Sequence, residues 1–151
     1  MREFAGLAEM TDVLGQEVAV SDWVEVTQQR IDLFADATDD HQWIHFDRER
    51  CERESPFGRP IAHGFLTLSM VSTLFERSIR MLDATMVVNY GLNKVRFPAP
   101  LRAGSRIRAR VRLLKIEVIE GGAQLEWQVT VECEGAPKPV CVAELLLRRY
   151  P

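Results

Sequence analysis

The run IAHGFLTLSMVSTLFERSI (61–79) decides how the rest of this chain must fold. From Ile61 to Phe75 almost every position is apolar or small, and the spacing predicts a helix over 61–79. An amphipathic surface helix would keep one polar face. A helix that is apolar all round must be covered on nearly every side. In a chain of 151 residues a single sheet curled around the helix can supply that cover.

The sequence on either side provides such a sheet. Downstream, strands are predicted at 86–97, 105–120, 123–134 and 139–150, with Gly121-Gly122 as a tight hairpin turn. Upstream, EVAVSDWVEV (17–26) reads as one strand. TQQRIDLFADAT (27–38) reads as a short helix capped by Thr27, with Ile31, Phe34 and Ala35 inward and Leu33 and Ala37 broadening the stripe. RERCERESPFGRP (48–60) reads as a polar, irregular connection. The expected architecture is α+β: one domain over 1–151, an antiparallel sheet around a long central helix.

Composition narrows the function. Net charge is −3, from 19 basic and 22 acidic residues, which argues against a nucleic-acid partner. No apolar run reaches the roughly 18–20 residues that span a membrane, and the N-terminus lacks a signal peptide's apolar stretch. Cys51, Cys133 and Cys141 stand without CxxC spacing and read as reduced thiols, which suits a cytoplasmic protein. Arg106, Arg108, Arg110 and Arg112 share one sheet face and could form a phosphate strip. The neighbouring strand puts Glu132 and Glu134 on one face too. A bulge at Leu113-Leu114 would pair Arg110 with Glu132 and Arg108 with Glu134, so cross-strand ion pairs are expected instead.

Chemistry concentrates in ATDDHQWIHFD (37–47), where three acids and two histidines surround a Trp. Asp40, His41 and His45 could ligate a metal, but HxxxH without a defined third ligand is weak, and no metal is expected. A solvated loop is disfavoured by Trp43-Ile44, which should anchor the segment in apolar surroundings. A nucleophile triad is disfavoured because Ser55, Ser69, Ser72 and the cysteines lie in no nucleophile context. The remaining reading is an acid/base dyad. Asp40 and His45, aimed at one water, suit adding water to a polarised C=C bond or removing it.

TDDHQWIH (38–45) resembles the hydratase signature of the MaoC-like family of (R)-specific enoyl-CoA hydratases and dehydratases. With PIAHGF (60–65) and NYGLNKVRFPAP (89–100) it looks like the NodN-like branch, over nearly the whole chain. The resemblance implies a single hotdog domain, usually a homodimer whose sheets join edge to edge, acting on acyl-CoA or acyl-carrier-protein thioesters. No cofactor is expected beyond the thioester carrier itself. Asp40 and His45 match the catalytic Asp and His. Asp39 replaces the usual Gly; if that position needs positive φ, Asp tolerates it better than most residues. An extra carboxylate there could also raise the dyad's pKa values. Gln42 and Trp43 replace Asn and Pro, and Cys51 takes the small-residue position.

Hydration of an enoyl thioester also needs a donor at the thioester oxygen. Gly64 is the choice, because a first-turn amide without a side chain admits close approach. His63 is the rival titratable group, more often a structural hydrogen bonder at such a position. His41 is expected at the surface or behind the dyad. Phe57, Ile61, Phe65 and Leu66 are candidates for an acyl tunnel, or for core. Asn89 and Gly91 fall in the family's substrate-facing strand, and Lys94 and Arg96 are candidates for coenzyme A phosphates. A hotdog thioesterase and a non-catalytic acyl-thioester-binding subunit are the alternatives.

Overall fold

Period-two apolar patterning carries the second half of the chain into a sheet, as its sequence requires. The computed structural model describes Met1–Pro151. In order, the elements are β1 (Arg2–Phe4), α1 (Leu7–Thr11), β2 (Glu17–Val20), β3 (Val24–Val26), α2 (Gln28–Thr38), a one-turn 3₁₀ helix (Trp43–His45), α3 (Arg48–Glu54), α4 (Gly64–Glu76), β4 (Ile79–Met81), β5 (Met86–Arg96), β6 (Ser105–Ile119), β7 (Gly122–Cys133) and β8 (Cys141–Tyr150). The main sheet has six strands in the order β2–β6–β7–β8–β5, with β3 beside β2 along the same edge of β6. Every pairing in it is antiparallel.

The sheet curls around α4, giving the expected α+β hotdog. Ile107, Ala109, Val111 and Leu113 of β6, Leu125, Trp127 and Val129 of β7, and Ala143 and Leu145 of β8 are buried. Leu66, Met70, Val71, Leu74 and Phe75 of α4 belong to the same core, and Phe75 meets Trp127 edge to face at 5.0 Å. The predicted bulge is present between Leu113 and Lys115.

Several boundaries differ from expectation. α4 starts at Gly64 rather than Ile61, because Ile61 and Ala62 donate their amides to the carbonyls of Ile44 and Leu101 instead. It ends at Glu76, because Ile79 pairs with Arg2 in a separate parallel pair of β1 and β4. The segment 17–26 is two strands, not one: Ser21 Oγ accepts the Ala109 amide where the ladder would continue. The 48–60 connection begins with α3, capped by Asp47, whose carboxylate accepts the Arg50 amide, and braced by the i,i+4 pairs Arg48–Glu52 and Arg50–Glu54. Leu33 and Ala37 are exposed, so the buried stripe of α2 is narrower than predicted.

The β6–β7 register is two residues away from prediction. The turn residues are Glu120 and Gly121, flanked by Ile119 opposite Gly122. Gly121 supplies a φ of +74°, while Gly122 is already in the strand, where a Cβ would collide with the Arg149 carbonyl. A shift of two keeps every side chain on its face, so the arginines still meet carboxylates. Arg108 and Arg110 both reach Glu132, each at 2.7 Å, and Arg106 takes Glu134 in place of Arg108. Burial would raise the Glu132 carboxyl, but hydrogen bonds from Arg108 and Arg110 outweigh it and hold the group below its ordinary range.

Candidate active site

Helix α2 delivers the acidic arm of the site. Thr27 caps its start, accepting the Arg30 amide. At its other end Asp39 takes the left-handed conformation, with φ 58°, and is the one non-glycine residue in the chain that does so. That kink reverses the chain after the helix and presents Asp40 toward the start of α4. The substitution of Asp for Gly here therefore falls where Asp can stand in for it. The charge of Asp39 acts on His41 rather than on His45.

The basic arm is the 3₁₀ turn. Gln28 Nε2 donates to the His45 carbonyl at 2.7 Å, tying the turn back to α2. Cys51 of α3 is buried against the carbonyls of Trp43 and Ile44. His45 is buried, with Nδ1 2.7 Å from the Ile61 carbonyl oxygen. A carbonyl only accepts, so Nδ1 carries the hydrogen and the neutral ring keeps its lone pair on Nε2. Burial pushes the His45 pKa below 6.5; the neighbouring His63 acts in the same direction, against the Ile61 hydrogen bond and Asp40.

His63, the residue before α4, lies under both arms. Its ring stacks on His45 with centroids 3.7 Å apart, and Phe34 tilts against it at 5.0 Å. Its Nε2 is 3.0 Å from the Asp40 carbonyl oxygen and 4.0 Å from the Asp40 carboxylate. A carboxylate oxygen of Asp40 and one ring nitrogen of each histidine lie within 4.8 Å of one another. By donor type this trio could hold a cation. His45 Nδ1 and His63 Nε2 face the carbonyls of Ile61 and Asp40, so the donors left over are the Asp40 carboxylate, His45 Nε2 and the buried His63 Nδ1. His41 is not part of the cluster: it is exposed and pairs with Asp36 at 2.9 Å, which raises its pKa.

His45 opens onto a cleft of about 440 Å³. Gln42, Phe57, Ile61 and Gly64 line it, together with Thr67 and the Phe97–Leu101 segment that follows β5. Gly64 begins α4, so its amide has no intrahelical acceptor. A Cβ there would press on the Phe97 ring at 3.1 Å, so packing also demands this glycine. Asp40 is not among the residues lining the cleft, and its side chain is 51% exposed, less enclosed than a dyad in an apolar slot was expected to be.

Other candidates lie elsewhere. Trp43 is half-buried under the Arg50 guanidinium, 4.2 Å away, and does not reach the core. Phe65 points outward, 70% exposed, and Leu66 belongs to the core. Asn89 hydrogen-bonds Ser72, and with Gly91 it lines an apolar groove between α4 and β5. Lys94 and Arg96 are exposed on β5. The groove continues past Ser72 and Phe75 to Val87 and Leu147, a further space of about 420 Å³. Gly64, Thr67, Leu68, Ser72 and Phe75 stand at i, i+3, i+4, i+8 and i+11, so the cleft and both grooves follow one face of α4. The helix spacing in the sequence held this signal, but the partner strand across the groove was not deducible from it.

Comparison with known proteins adds the following. Residues 9–134 match the family described as the MaoC like domain. The 3-hydroxyacyl-thioester dehydratase Z of Mycobacterium tuberculosis is 48% identical over 149 residues, covering 98% of each chain. Nodulation protein N of Rhizobium leguminosarum bv. viciae is 46% identical over 140 residues, 91% of this chain and 86% of that one. Among solved structures, the (R)-hydratase from A. caviae involved in PHA biosynthesis superposes with a TM-score of 0.70 at 21% identity, over 91% of this chain and 96% of that one.

Proposed function

The chain belongs to the MaoC-like domain family, and from that premise we propose that it is a hydro-lyase acting on acyl thioesters. It hydrates trans-2-enoyl thioesters to (3R)-hydroxyacyl thioesters, or runs the reverse dehydration; equilibrium sets the net direction. The observation that carries this reading is the His45 tautomer. Its Nδ1–H is held by Ile61, which leaves the bare lone pair on Nε2 of a ring that lines the cleft, and a His45 ring nitrogen lies within 4.8 Å of an Asp40 carboxylate oxygen.

In this mechanism His45 Nε2 takes a proton from a water that Asp40 orients, and the water oxygen bonds to C3. The electron pair of the C2=C3 bond moves toward the thioester oxygen, which the Gly64 amide stabilises as it gains enolate character. The imidazolium then returns its proton to C2, and the dyad is restored. No electron leaves the substrate, so the chemistry calls for no redox cofactor; coenzyme A or acyl carrier protein is the substrate's carrier. The apolar groove along α4 suits the acyl chain.

The whole of 1–151 acts as one hotdog domain in this reading, in the cytoplasm, where three unpaired thiols stay reduced. The partner is a second copy. β5 is an edge strand that pairs only with β8 and exposes Val88, Tyr90 and Leu92. Edge-to-edge joining would cover it.

The test follows the loss of enoyl-CoA conjugation in the ultraviolet, with chiral analysis of the product. Asp40→Asn and His45→Gln should each lower kcat by about 10²–10⁴ while folding survives. Release of free thiol without loss of conjugation would replace this reading with a thioesterase. Binding without turnover would point to a silent acyl-thioester-binding subunit.

A further inference from the structure

Asp40 rides on a stretch of backbone with little to hold it. Between the end of α2 and Gln42, no backbone–backbone hydrogen bond involves Asp39, Asp40 or His41. The 3₁₀ turn beyond is fixed by its own bond from the His45 amide to the Gln42 carbonyl and by Gln28. Two side-chain bonds tie the acidic stretch: His41 to the Asp36 carboxylate at the surface, and the Asp40 carbonyl to the buried His63 Nε2, which alone holds Asp40 itself. His63 is 2% exposed, so its ring lies behind the site rather than on its surface. Its Nδ1 is buried without a partner. An unpartnered lone pair there costs less than an unpartnered buried N–H, so the hydrogen sits on Nε2, where the Asp40 carbonyl accepts it.

We infer that His63 is a positioning residue: it tethers the Asp40 backbone through Nε2–H and fixes the His45 ring by stacking, setting the distance between the two. This rests on the hydratase reading for its effect on turnover, but not for its effect on the backbone. Both reacting side chains come from short irregular segments, and a misplacement of about 1 Å can cost on the order of 10²-fold in rate. His63 joins the two segments from the rigid end of α4.

Two substitutions separate the tether from the stack. His63→Phe keeps the ring and loses the donor; His63→Gln keeps an amide donor near the Nε2 position and loses the ring. In the unmodified protein, long-range ¹H–¹⁵N spectra should show the His63 hydrogen on Nε2 and none on Nδ1. Backbone order parameters at Asp40 and His41 should be about 0.8 in the unmodified protein and in His63→Gln, and fall below about 0.6 in His63→Phe. His63→Phe should lower kcat roughly 10–100-fold with KM within about threefold, and His63→Gln should recover most of that loss. An Nδ1–H tautomer, unchanged order in His63→Phe, or a KM effect without a kcat effect would overturn the inference. If His63→Phe does not fold, the tautomer and the His63→Gln kinetics carry the test, and loss of turnover in His63→Gln equal to that in His45→Gln would overturn it. If the order parameters behave as expected in a protein that hydrates no enoyl thioester, the tether stands and the hydratase reading falls.

Discussion

His45 shows how much one hydrogen bond can decide. With Nδ1 donating to Ile61, the ring presents a base only while it is neutral, and burial lowers its pKa below 6.5. Activity should therefore persist at neutral pH and fall on an acid limb lying below about pH 6.5, measured as kcat/KM against pH. The same shift links to stability. A histidine that is harder to protonate when folded contributes nothing to pH dependence above 6.5, and stability drops as pH falls from there toward the lowered folded value. His45→Gln should flatten that part of a urea-denaturation profile against pH. Asp39 makes a second residue-scale prediction. Its φ of 58° suits Gly and Asp but not a β-branched side chain. Asp39→Val should cost about 1–2 kcal/mol in chemical denaturation, whereas Asp39→Gly should change stability by less than about 1 kcal/mol. The sequence already named Asp40, His45 and the φ tolerance of Asp39. It did not place His63 under Asp40, because that contact joins residues 23 apart through a side chain and a carbonyl.

Among the elements, α4 and the β6–β7 hairpin set the frame. Leu74 of α4 is fully buried, and Leu74→Ala should cost about 2–5 kcal/mol in denaturant unfolding. The hairpin turn offers a sharper contrast. Gly122→Ala should destabilise by about 1–3 kcal/mol, because its Cβ meets the Arg149 carbonyl across the sheet. Gly121→Ala has open space around it and should cost only the positive-φ penalty of about 1 kcal/mol. Period-two patterning found β6 to β8 nearly to the residue, because alternate side chains there face a continuous core; β5 was found as well, although none of its side chains is buried in the single chain. It missed β1, α1, β4 and α3. β1 and β4 are three residues each, too short to show a period, and exist by pairing with each other. α3 buries only Cys51 among charged residues, so no apolar stripe marks it.

At the scale of the molecule, an eleven-residue edge strand with exposed Val88, Tyr90 and Leu92 is the least satisfied feature of the isolated chain. Light scattering should give twice the chain mass, and the double substitution Val88→Lys, Leu92→Lys should halve it and reduce turnover with it. A chain that is monomeric from the outset would leave the edge without this explanation. What the sequence by itself determined is the part written in local pattern: an all-round apolar helix that needs a wrapping sheet, four long strands to wrap it, and an Asp and a His spaced to meet. Only the tertiary structure decided which nitrogen of His45 is bare, how His63 holds Asp40, where α4 truly begins, and which residues share the cleft. Those outcomes depend on hydrogen bonds and contacts between segments distant along the chain, and such pairings leave no periodic trace in the residues that make them.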